Sequence, residues 1–130
     1  MRPVILLTAL LAGALMPVQA GINARLREFL GDPLMASLVS FAVGTVSLVL
    51  IILLTRTPLP TLGMAAAAPW WTWLGGALGA FFVAVSVILA FKLGATGLMA
   101  WIIAGQLLGS VLIDHTGAIG FAVREASWQR

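Results

Sequence analysis

Gln19 and Asn23 stand four residues apart in a stretch without a single charge, so on a helix their two amides share one face. Each amide carries two N–H donors and a carbonyl acceptor. Burying such a group in hydrocarbon is unfavourable, so its presence there needs a reason. One reason is a pocket wall that hydrogen-bonds a small molecule. Pro17 suits that reading, because a proline frees the carbonyl about one turn earlier and predicts a partly unwound segment, with Gly21 lying between the two amides. The other reason is hydrogen bonding between helices, worth about 0.6 kcal/mol per bond. Gln106 poses the same choice between ligand and glue, since Gly105 and Gly109 form a GxxxG pair around it. Trp101 offers an aromatic wall for a flat or cationic molecule, or a packing surface for another helix.

Asp114 and His115 place a carboxylate beside an imidazole, which invites a catalytic or metal reading. Adjacent helical residues point about 100° apart, and no third ligand or nucleophile accompanies them. The chain has no cysteine, which excludes disulfides, zinc ribbons and thiol chemistry. No enzyme activity, metal or cofactor is therefore expected. Both groups titrate at a helix end, so a proton-linked role suits them better.

The elements that must position these residues are four uncharged runs: 3–24, 34–55, 70–91 and 93–113. The first three hold 22 residues and the last 21. At helical rise, 22 residues make about 33 Å, enough to cross a hydrocarbon core of roughly 30 Å. Hydrophobic residues make up 62% of the chain and charged ones 8%, which leaves no material for a separate water-soluble domain. The expected fold is all-α: a polytopic membrane helical bundle of four transmembrane helices in a single domain, 1–130, ending in a polar tail, 114–130. The isoelectric point near 11.3 rests on seven basic residues scattered over loops and ends, with no cluster to grip a phosphate backbone, so nucleic acid is not an expected partner. The start of the chain imitates a signal peptide, with Val18-Gln19-Ala20 as a small-residue site. Its apolar run nevertheless continues to Ala24, and an uncleaved first helix is expected.

Small residues mark packing faces. Ser37, Ser40, Gly44 and Ser47 form a stripe in the second run, Gly75 and Gly79 repeat the spacing in the third, and Gly105 and Gly109 do so in the fourth. Trp70, Trp71 and Trp73 cluster where aromatic rings settle at the headgroup level. Short echoes such as Gly13-Ala14-Leu15 and Gly76-Ala77-Leu78, 63 positions apart, are either chance among abundant residues or traces of a duplicated hairpin. A duplicated hairpin is a parallel repeat, so inverted symmetry would need a second chain. With four crossings, Arg2, Arg56, Arg124 and Arg130 share one side of the membrane, and Arg25, Arg27 and Lys92 the other. Four against three gives little orienting bias under the positive-inside rule, so the chain is expected to insert both ways and to pair as an antiparallel homodimer.

The runs Pro17-Val18-Gln19-Ala20-Gly21-Ile22-Asn23-Ala24-Arg25-Leu26, Gly31-Asp32-Pro33 and Ser40-Phe41-Ala42-Val43-Gly44-Thr45 resemble the YdcZ family of small bacterial inner-membrane proteins. So do Leu74 to Phe81, Leu93-Gly94-Ala95-Thr96, Ala104-Gly105-Gln106-Leu107 and Asp114-His115-Thr116-Gly117, so that the resemblance spans nearly the whole chain. It implies a multi-pass transporter or exporter of the drug/metabolite superfamily, with an undefined small-molecule substrate and, among short members, paired or opposed dimers. Family members usually continue into a fifth helix after a segment like Ala122 to Arg130, whereas this sequence stops there. Phe91 occupies a position that is commonly proline. The better-understood small multidrug exporters couple protons through a carboxylate midway along their first helix; here Glu28 and Asp32 are expected in a loop instead. The leading expectation is a transporter with a pocket of Gln19, Asn23, Trp101 and Gln106. The alternative is a non-transporting assembly partner, or a half-transporter that needs a second subunit.

Overall fold

The structure is a computed structural model and describes residues 2–124. Four α-helices follow one another: α1 (Arg2–Leu30), α2 (Pro33–Thr55), the short α3 (Leu62–Ala66) and α4 (Leu74–Thr116). Single turns of 3-10 helix at Trp70–Trp73 and Ala118–Gly120 flank α4, and there is no strand among the described residues. The all-helical expectation therefore holds. Three helical stretches are long and apolar enough to cross a membrane, where the uncharged runs predicted four. The difference lies in the third and fourth runs: helix continues through Lys92 and Leu93, because charge alone does not end a helix, and the two runs fall in α4 on either side of a kink at Gly94. The backbone departs from helical geometry only at Gly94, with φ 67° and ψ 168°, a conformation essentially reserved for glycine.

The chain divides into two compact units, one up to Lys92 and one from Leu93. In the first, α1 packs on α2. α1 outlasts its apolar run by six residues, so Arg25, Arg27 and Glu28 ride on helix rather than on a loop. The reason is that hydropathy reports where the bilayer ends, whereas Arg, Leu and Glu are good helix formers that carry the ladder onward. Gly31 then stops it at φ 77°. Asp32 caps the next helix at once: its Oδ1 accepts from the N–H groups of Leu34 at 2.8 Å and Met35 at 3.0 Å, with Pro33 in the first turn. α1 also runs unbroken through Pro17, so the unwound segment expected there does not form.

α2 ends at Arg56, whose left-handed backbone lets the Thr57 N–H reach the Ile52 carbonyl at 3.1 Å. Its buried residues are Ala36 and Ser37; α1 buries Ala20, Asn23 and Ala24. Small side chains dominate these buried positions, as they do where membrane helices approach closely. Also in this unit, Gly79 of α4 stands against α2, where a Cβ would meet the Phe41 ring at 3.5 Å. In the second unit α4 continues to Thr116, and Gly117 terminates it in the left-handed region, returning its N–H to the Ile113 carbonyl at 2.9 Å. The chain then folds back far enough for the Arg124 N–H to bond the Asp114 carbonyl at 2.7 Å. Arg130 and the rest of the polar tail beyond Arg124 lie outside the described residues.

Candidate functional site

The helical rise places Gln19 and Asn23 one turn apart on α1, and both face a groove of about 380 Å³ between α1 and α2. Leu15, Val18, Ile22 and Leu26 form the rest of the α1 wall, while Val39, Ser40 and Val43 form the α2 wall. The lining is thus aliphatic with three neutral polar groups and nothing ionisable. Its volume falls within the 300–1,000 Å³ typical of small-molecule sites.

Asn23 is the most confined of the three, with only 4% of its surface exposed. Its side chain makes no hydrogen bond to any described residue, yet no fully enclosed side-chain polar atom is left without a partner. The amide must therefore open onto the groove. Gln19 is exposed and likewise uncommitted.

Ser40 shows the same availability by comparison with its neighbours. Ser37, Ser47, Ser86 and Ser110 each donate their hydroxyl to the carbonyl four residues earlier, at 2.7 to 2.8 Å, the usual way a serine is satisfied inside a membrane helix. Ser40 makes no such bond and lines the groove instead. Sequence spacing assigned Ser40 to a packing stripe. The spacing did place Ser40 on the same face as Ser37, but it could not say which part of that face α1 would cover and which would line a groove.

Both acidic groups of this unit are engaged outside the groove. Arg25 Nη1 donates to Glu28 Oε2, and the same guanidinium sits 5.6 Å from the centre of the Phe29 ring. The Asp32 carboxylate caps α2.

The other residues singled out by the sequence lie elsewhere. Trp101 and Gln106 belong to the second unit, are exposed, and are not among the groove's lining. Asp114 is half-buried and His115 exposed in the last turn of α4. Among the small-residue positions, Gly79 meets Phe41, whereas Gly44, Gly75, Gly105 and Gly109 have open space where a side chain would begin. No group of three or more metal-ligating side chains occurs among the described residues.

An all-helical chain with spanning-length helices whose apolar side chains face outward, such as Leu48, Leu53 and Leu108, is a multi-pass membrane protein. It belongs to the family described as "Putative inner membrane exporter, YdcZ", which matches residues 4–130. The chain is similar to the inner membrane protein YdcZ of Escherichia coli strain K12, with 29% identity over 113 residues, covering 87% of this chain and 76% of that protein. These findings make it a multi-pass protein of the bacterial inner membrane. No solved structure matches the chain.

Proposed function

We propose that this protein exports a small molecule through the α1–α2 groove, working as a homodimer of oppositely inserted copies. The observation that carries the reading is Asn23: a buried amide without a protein partner, opening onto a cavity of ligand size. A purely structural amide would be expected to spend its hydrogen bonds on a neighbouring helix. Membership in an exporter family agrees with this use.

Two further features support the arrangement. The break at Gly94 divides the 43 residues of α4 near the middle, leaving 20 residues before it and 22 after, each enough helix to cross a hydrocarbon core. One crossing on each side of Gly94, added to α1 and α2, would give the chain four in all. Four crossings leave the basic residues divided four against three, and a second copy would cover apolar surface and the open glycines at Gly105 and Gly109. Trp101 and Gln106 are proposed as further contacts along the substrate path, with Asp114 and His115 as the groups that exchange protons.

The test has two arms. Proteoliposomes are offered a metabolite extract from a strain lacking the protein, and a component that accumulates with the native chain is expected to stop accumulating with Asn23→Leu. Flux of no component, or equal flux with both chains, overturns the export reading. Separately, Thr57→Cys is labelled with a membrane-impermeant thiol reagent in intact cells. Partial labelling that becomes complete on permeabilisation is expected; uniform labelling overturns the antiparallel dimer.

A further inference from the structure

We infer that the groove selects neutral, largely apolar molecules bearing a hydrogen-bonding group such as an amide or hydroxyl, and rejects cations. The inference rests on the groove being the ligand site, as proposed above.

Its basis is the charge inventory around the groove. None of the nine lining residues is ionisable. The unit that contains the groove has two carboxylates, and each is committed: Glu28 to Arg25, and Asp32 to the N–H groups of Leu34 and Met35. Freeing Glu28 would release the Arg25 guanidinium, and freeing Asp32 would uncap α2. From Arg25 to Asp32 two basic side chains, Arg25 and Arg27, stand against two acidic ones, Glu28 and Asp32, so this end of the groove carries no net negative charge for a cation to meet. A cation entering the groove would shed water without meeting a counter-charge, which is unfavourable at membrane depth.

The three polar groups present suit a neutral guest. Asn23 and Gln19 can each offer both a donor and an acceptor, and the Ser40 hydroxyl can turn to serve as either. A ligand amide or hydroxyl would occupy the partners that Asn23 and Ser40 lack. The aliphatic side chains of Leu15, Val18, Ile22 and Val43 would cover its apolar remainder.

Two probes of equal shape separate charge from fit: para-tert-butyl-N-benzylbenzamide, and the analogue in which a trimethylammonium group replaces tert-butyl. Binding of each to the full chain in nanodiscs is measured by equilibrium dialysis, with empty nanodiscs subtracted. The native chain is expected to bind the neutral probe at least about tenfold more tightly than the cation. Asn23→Asp should shift that preference toward the cation, and Asn23→Leu should weaken the neutral probe. Ser40→Asp places a carboxylate on the opposite wall and serves if Asn23→Asp does not give a monodisperse protein. Equal or tighter binding of the cation by the native chain overturns neutral selection while leaving the ligand site standing. An unchanged preference in the carboxylate variants that fold also overturns it. Saturable binding of neither probe overturns the ligand site itself, because the groove then belongs to a lipid chain or a second copy.

Discussion

The stretch around Asn23 and the stretch around Gln106 use the same vocabulary, an amide among small residues in an uncharged helix, and the structure treats them in opposite ways. Asn23 is buried beside Ala20 and Ala24 and opens onto a groove that α1 and α2 complete by themselves. Gln106 is exposed between Gly105 and Gly109, and neither glycine has a neighbour where a side chain would begin. The first region is an open groove whose walls both lie within one unit of the chain. The second is a surface with polar and small groups still to be used. Identical residue types thus end against a groove in one case and on open surface in the other, and the deciding variable is whether a helix is already packed against them.

The largest effect is expected at the joint between the two regions. Gly94→Val forces a β-branched residue into a conformation reserved for glycine, at a cost toward the upper end of about 1–3 kcal/mol. Its thermal unfolding midpoint in detergent should drop clearly, while Gly97→Val, at a helical glycine, should lower it less. A comparison of Gly79→Leu with Gly105→Leu comes next. The first drives a side chain into the Phe41 ring and should destabilise the protomer by about 1–3 kcal/mol. The second meets open space and should leave the protomer within about 0.5 kcal/mol of native while weakening the proposed dimer, read by sedimentation in detergent. Equal protomer losses would erase the distinction between the regions.

Asp32→Ala removes the cap of α2 and should cost about 1 kcal/mol in chemical unfolding, with a matching decline in ligand binding if the groove depends on that hairpin. The smallest effect belongs to Gln106→Leu. With Gln106 facing the second copy of the proposed dimer, loss of one interhelical hydrogen bond of about 0.6 kcal/mol should raise the dissociation constant by roughly threefold and leave protomer unfolding unchanged. A loss of protomer stability instead would show that Gln106 is satisfied within its own chain.

Much of the helical layout was legible because hydropathy marks membrane-length runs directly. The second run, 34–55, reappears as Pro33–Thr55 almost residue for residue, since Asp32-Pro33 and Arg56 bound it with cap chemistry as well as polarity. The end of α1 was misread because the bilayer boundary near Ala24 is not the helix boundary at Leu30. The third and fourth runs were divided at Lys92, where a charge interrupts the hydropathy; the backbone breaks two residues later, at Gly94, where conformation permits it. The shared face of Gln19 and Asn23 followed from their spacing alone. Ser40 as a groove residue did not, because spacing fixes the relation of residues on one helix and is silent about the rotation of that helix against its neighbour.

The Gly31-Asp32 connection has a consequence for biogenesis. With two residues between helices and a carboxylate clamping the start of the second, α1 and α2 have no slack to be threaded into the bilayer one at a time in independent directions. The insertion machinery must commit the pair together, as a hairpin whose apex carries Arg25, Arg27, Glu28 and Asp32 through to one side. Orientation is then an all-or-none decision made once per hairpin, and both walls of the groove are in place before the remaining helices leave the ribosome.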